Sequence, residues 1–225
     1  MKNIFKFILI FCFFVSKSNG QQITIKRIES RLITNEGVEF IGNIKDKNND
    51  LYSYSNWNNN GILFLQNKIY TLSNINFNIT SNTFDSRITR DKFFSFKTSE
   101  IDSVSINNLK FKNIGNSFYE VLYETENKLF LKKYDIKYHE GIDNRLGGRT
   151  LGKRKAQVSN NYLVKLGETF KKVELDKSSI LDLIDNENDK MQLINFVKEK
   201  NLSYKRVNDV VKIFKYIFKN SNKII

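Results

Sequence analysis

Proline is absent from the 225 residues, which excludes a proline-rich linker or a polyproline ligand. One cysteine, Cys12, and one histidine, His139, are too few for a Cys/His zinc site or a disulfide framework. No cofactor is expected. The longest apolar run falls well short of the ~20 residues that a membrane-spanning helix needs. What is present is 40% hydrophobic, 13% aromatic and 27% charged. That mixture buries a sizeable core and excludes global disorder, and the length suits one medium domain or a domain with an appendage.

The first twenty residues read as an address. Lys2 and Lys6 make a basic start, Phe7 to Val15 is apolar, and Ser18-Asn19-Gly20 places small residues at positions −3 and −1 of a cut. This is the pattern of a secretory signal peptide, with the mature chain expected to begin at or near Gln21. A lipoprotein site at Cys12 is rejected, because Phe11 precedes it and the apolar run continues beyond it. Loss of Met1–Gly20 removes the only cysteine and Lys2, Lys6 and Lys17 with no acid, lowering the formal charge from +13 to +10. The excess is mostly lysine, scattered along the chain rather than clustered with arginine and aromatics, so no nucleic-acid partner is expected. A solvated basic surface is the simpler account.

From Ile23 to about Val173 the chain shows short apolar runs broken at Asn, Gly, Ser and Asp, the pattern of strands. Ile62–Leu65 and Ile69–Leu72 around Gln66-Asn67-Lys68 predict a hairpin, with Asn67 as the left-handed turn residue. Further strands are predicted at Ile75–Ile79, Phe93–Phe96, Val104–Ile106, Leu109–Ile114, Phe118–Tyr123, Leu129–Tyr134, Tyr162–Leu166 and Phe170–Val173. Connections this short cannot make parallel crossovers, so an antiparallel meander follows. Between Ile136 and Gln157 the alternation stops among Gly141, Gly147, Gly148 and Gly152, and a flexible connection over 136–157 is expected.

The period then becomes helical. Val207, Val210, Val211, Phe214, Ile217 and Phe218 form one face, with Lys205, Arg206, Asp209, Lys212, Lys215 and Lys219 opposite. Met191 to Val197 makes a second amphipathic stretch, ended by Asn201, and Asp176 or Ser178 caps a shorter helix through Ile184. The expected class is α+β: an antiparallel meander or curved sheet followed by two or three C-terminal helices. The divisions are a leader over 1–20, a β-rich domain over 21–175 and a helical segment over 176–225 packed on the sheet.

Three local patterns carry a resemblance. Trp57-Asn58-Asn59-Asn60-Gly61-Ile62 precedes Tyr70 and Ile75-Asn76-Phe77-Asn78. Phe118-Tyr119-Glu120-Val121-Leu122 precedes a turn and Leu129-Phe130-Leu131-Lys132-Lys133. The tail holds Ser179-Ile180-Leu181 and Phe196-Val197-Lys198-Glu199-Lys200-Asn201-Leu202. In this order they resemble a group of uncharacterised secreted proteins of Bacteroidota-type bacteria, over about half of the mature chain. The resemblance implies export and an antiparallel sheet with a helical tail, and it implies no activity.

Few constellations carry chemistry. Gly147 to Lys153 matches G-x-x-x-x-G-K, but Arg154 stands where a phosphate loop needs Ser or Thr, and the flanks read as loop and strand. Arg145, Arg149, Lys153, Arg154 and Lys155 remain an anion-binding candidate by charge alone. Tyr52, Tyr54 and Trp57 form a candidate aromatic patch for a glycan or peptide, against which stands an anchor at the edge of the core. His139 lacks the partners of a hydrolase and reads as a surface loop residue. Asp85 with Asp102, or Glu120 with Glu124, offers carboxylates for glycosidic cleavage, with nothing to select a pair. The C-terminal basic helix either packs on the sheet or lies on an anionic membrane.

The expected function is that of an exported, non-catalytic binding or structural protein of the cell envelope, in the periplasm or on the outer surface of a Gram-negative bacterium. Its partner is an envelope component, an anionic lipid or a glycan. An envelope-glycan hydrolase using a carboxylate pair and a lipid-binding periplasmic protein are the alternatives.

Overall fold

The computed structural model describes residues 30–33, 39–66, 68–141 and 152–220. The leader, the expected terminus at Gln21, Asn67, and the loop residues Arg145 and Arg149 lie outside the described residues. Among the described residues thirteen strands are followed by three helices: β1 (Ser30–Ile33), β2 (Glu39–Asp46), β3 (Gly61–Leu65), β4 (Lys68–Leu72), β5 (Ile75–Asn78), β6 (Thr83–Arg87), β7 (Lys92–Phe96), β8 (Ser103–Ile106), β9 (Leu109–Ile114), β10 (Ser117–Glu124), β11 (Lys128–Gly141), β12 (Gly152–Leu166), β13 (Thr169–Val173), α1 (Lys177–Leu181), α2 (Glu187–Glu199) and α3 (Val207–Asn220). The fold is α+β.

The strands form a five-stranded sheet, β1-β2-β7-β6-β5, and an eight-stranded sheet, β13-β12-β11-β10-β9-β8-β3-β4. Every pairing is antiparallel. With no proline to set turns, asparagine does much of the work. Asn74, Asn82, Asn107, Asn116 and Asn201 all have positive φ, as does Gln66 in the predicted β3–β4 hairpin. Gly115-Asn116, both left-handed, makes the two-residue β9–β10 turn whose twist suits an antiparallel pair. Asn82 also joins the two sheets: its amide donates to the Phe118 carbonyl (3.0 Å), and its side-chain oxygen accepts from the Phe118 N–H (2.7 Å).

The first core lies between the small sheet and part of the large one. Phe77, Phe84 and Phe94 face Phe111, Phe118 and Val104, and Phe84 meets Phe118 edge-on at 4.7 Å. The second core puts Phe130, Val164 and Val173 against the helices. Val210, Phe214 and Ile217 are sealed there, and Phe214 stacks on Phe130 at 4.1 Å, so the apolar face of α3 is spent on the sheet. Among the described residues no helix is long and apolar enough to cross a membrane.

Both cores sit on one face of the large sheet. Cross-strand partners share a face, and Glu120↔Lys132 separates Phe118 from the pair Tyr123↔Phe130. Here the buried Glu120 carboxylate pairs with the Lys132 ammonium and accepts from the Tyr134 hydroxyl. Burial first, then the hydrogen bond to Glu120 and the Glu120 charge, push the Tyr134 phenol well above its ordinary value. The other face is strongly curled. Tyr119 on β10 and Phe170 on β13 are three strands apart, about 14 Å in a flat sheet, yet their ring centroids are 5.8 Å apart.

The flexible connection expected over 136–157 is corrected at its two ends, 136–141 and 152–157, which are strand; 142–151 lie outside the described residues. β11 runs on to Gly141 and β12 begins at Gly152, with Ile136 opposite Val158 and Lys137 opposite Gln157. Beyond Ile136, which packs against the first core, Lys137, Tyr138, His139, Ala156 and Gln157 are all exposed, so no buried alternation marks these strand residues. Backbone ladder bonds hold them regardless of side-chain hydropathy.

Candidate functional site

A surface concavity lies between α2 and α3. α2 begins at Asn186, whose side chain accepts from the Asn188 and Asp189 N–H groups. It ends in a Schellman arrangement: the Leu202 N–H donates to the Val197 carbonyl (2.9 Å), the Asn201 N–H to the Lys198 carbonyl (3.2 Å), and Asn201 takes φ +51°. Asp209, in the first turn of α3, accepts from the Ser203 N–H (3.1 Å) and pairs with Arg206 (2.7 Å). These bonds hold the Asp209 carboxyl below its ordinary range, the Ser203 bond most of all. The turn between the helices is therefore fixed, and it fixes the helix-to-helix register.

That register lays Phe196 of α2 flat on Tyr216 of α3, with centroids 4.2 Å apart and planes at 16°. Both rings are half-buried. With Leu202 they floor a groove of about 610 Å³, whose remaining lining is Lys200, Lys212, Lys215, Lys219 and Asn220. The four ammonium groups are exposed, and no carboxylate side chain lines the groove. Lys200 pairs with Glu199 at 3.2 Å and Lys212 with Asp209 at 3.7 Å. Lys215 and Lys219 have no carboxylate partner among the described residues. An apolar, aromatic floor under a rim of four lysines, two of them without a carboxylate partner among the described residues, suits a ligand with an apolar body and a negative group. Among the described residues no three His, Cys, Asp or Glu side chains converge as a metal site would require.

The predicted site residues are distributed elsewhere. Tyr52 and Trp57 do come together, with centroids 4.8 Å apart, and Phe93 backs Trp57 at 4.8 Å. Tyr54 packs instead against the first core and donates its hydroxyl to the Ile106 carbonyl at 3.3 Å. The Tyr52 hydroxyl donates to buried Asp85 at 2.9 Å, and burial with the Asp85 charge drives its pKa far upward. All three rings are partly buried; Tyr54 packs on the first core, whereas Tyr52 and Trp57 lie over Phe93 outside both core clusters. Lys153, Arg154 and Lys155 stand on the first positions of β12, where a phosphate loop would need a helix. His139 is on β11 rather than a loop, exposed, with Nε2 3.0 Å from Gln157 Oε1.

Each candidate carboxylate has a local task. Asp102 accepts from the Gln66 N–H at 2.8 Å. Glu120 and Glu124 hold lysines, Lys132 for the first and Lys110 with Lys112 for the second. Asp85 accepts from Tyr52, Asn78 and Thr83. The Asn78 amide nitrogen lies 2.8 Å from both Asp85 and Asp50, so Asp85 shares that amide with an acid that the sequence did not single out. The groove was missed too. Its signal was Tyr216 standing among lysines on the polar face of its helix. Comparison with protein-family models, with curated proteins and with solved structures yields no match for the chain.

Proposed function

We propose that the chain is an exported, non-catalytic protein of the cell envelope that works by binding, with the α2–α3 groove as its ligand site. The groove carries this reading. Its stacked Phe196–Tyr216 floor and four-lysine rim are held by a fixed turn rather than assembled on contact. A basic, short leader and small residues before Gln21 support export, where anionic lipids and glycans are the abundant partners. The resemblance to secreted proteins of Bacteroidota-type bacteria points the same way.

Calorimetry of the purified chain against envelope lipid extract and against envelope polysaccharide tests this. Binding is expected to one of them, and to be lost in a Lys212→Gln, Lys215→Gln, Lys219→Gln variant. Binding unaffected by that variant removes the groove from the function. The rival reading is hydrolysis of an envelope glycan, and it has in its favour Asp50 and Asp85 sharing the Asn78 amide near Tyr52 and Trp57. Release of reducing ends from the polysaccharide, abolished by Asp85→Asn, would replace binding with catalysis.

A further inference from the structure

Resting on the groove as ligand site, we infer that its occupant is a single-chain amphiphile carrying a carboxylate, a free fatty acid rather than a bilayer surface. Three observations lead there. First, the apolar part of the groove is recessed. Phe196 and Tyr216 are half-buried, while the ammonium groups around them are exposed. A helix that inserts into a bilayer needs the reverse, with apolar side chains projecting beyond the lysines. The apolar residues of α3, from Val210 to Phe218, are instead sealed in the second core.

Second, the groove is open to solvent along one side, and its volume of about 610 Å³ accommodates one small amphiphile laid along it rather than a macromolecular surface. Third, the charge is of one sign. Lys215 and Lys219 bring ammonium groups with no carboxylate partner among the described residues, and a ligand carboxylate supplies the missing charge. The four-carbon lysine stems lie along an acyl chain while their heads stay in water. Chain and head should therefore contribute separately: each buried methylene about fourfold in affinity, and the carboxylate through the lysines alone.

The test displaces a fluorescent fatty acid from the purified full chain, with competitors kept below their aggregation concentrations. Hexadecanoate is expected to displace it at micromolar concentration. Decanoate and hexadecanol should each be at least about tenfold weaker, and acetate inactive. A Lys215→Gln, Lys219→Gln variant should weaken hexadecanoate about tenfold, weaken hexadecanol by no more than about twofold through its shorter stems, and keep its melting temperature, since both side chains are exposed. Equal displacement by the acid and the alcohol, or a lysine dependence seen only with anionic vesicles or an acidic helical peptide, overturns the fatty-acid assignment. Lysine-dependent binding of envelope polysaccharide without hexadecanoate binding leaves the groove as a site and removes the amphiphile. No lysine-dependent ligand in any arm removes both.

Discussion

Replacing Phe214 by Ala is the sharpest probe of how the helices are held. The ring is 0% exposed, stacks on Phe130 at 4.1 Å and meets Phe218 at 5.6 Å with planes at 63°. It touches both the sheet and its own helix, so its loss cannot be repaired by a small shift of either. Burial lost plus the cavity left behind costs about 3–5 kcal/mol. With a urea slope of about 2–3 kcal/mol/M for a domain of this size, the midpoint should fall by about 1.5 M at unchanged slope. The melting temperature should fall by about 10 °C. Phe170→Ala serves as the control, because that ring is 39% exposed and should cost much less. A Phe214→Ala protein with an unmoved midpoint would refute the packing account. If it had also lost binding to anionic vesicles, α3 would belong to a membrane surface instead.

Three other outcomes are expected. Gly42→Ala should cost more than about 3 kcal/mol or prevent folding, because the added Cβ would sit 2.2 Å from the Ser95 carbonyl oxygen of β7; a urea midpoint near wild type would contradict this. Burial pushes the Glu124 carboxyl upward, but Lys110 and Lys112 overcome that and hold it below its ordinary 4.5. Its stabilisation is therefore full above that value and lost as the pH falls through the lower folded value, so the difference in melting temperature from Glu124→Gln should shrink on acidification. Protein recovered from an exporting host should begin at or near Gln21 by N-terminal sequencing, and material beginning at Met1 would sink the leader assignment.

Much of the fold was legible because burial writes itself into the chain as periodicity. Leu109–Ile114 is a strand with the predicted bounds, Asn201 ends its helix in the left-handed region, and Asp176 rather than Ser178 caps the short helix. β6 escaped notice because Ser86 stands where alternation from Phe84 would want an apolar residue; Asp85, on the opposite face, is buried by hydrogen bonding, not hydropathy. The outer part of the β11–β12 ribbon escaped for the converse reason, since 137–139 and 156–158 are exposed and show no buried stripe. Of the site, the lysines of α3 were visible as its polar face. The juxtaposition of Phe196 with Tyr216 was not, because it depends on helix register set by a turn and no local pattern reports it.

The placement of two cores side by side on one face has a consequence for how the molecule opens. The helices with β13 can detach from the sheet without disturbing the packing of Phe77, Phe84 and Phe111, because the Glu120–Lys132 pair rather than apolar contact lies between the two regions. Amides of α1, α2 and α3 should therefore exchange with solvent through a partial opening. Those in β10 and the inner half of β11, which serve both regions, should exchange only when the whole chain unfolds. The groove rides on the half that opens first, so an occupant bridging α2 and α3 would slow exchange there and leave the first core untouched.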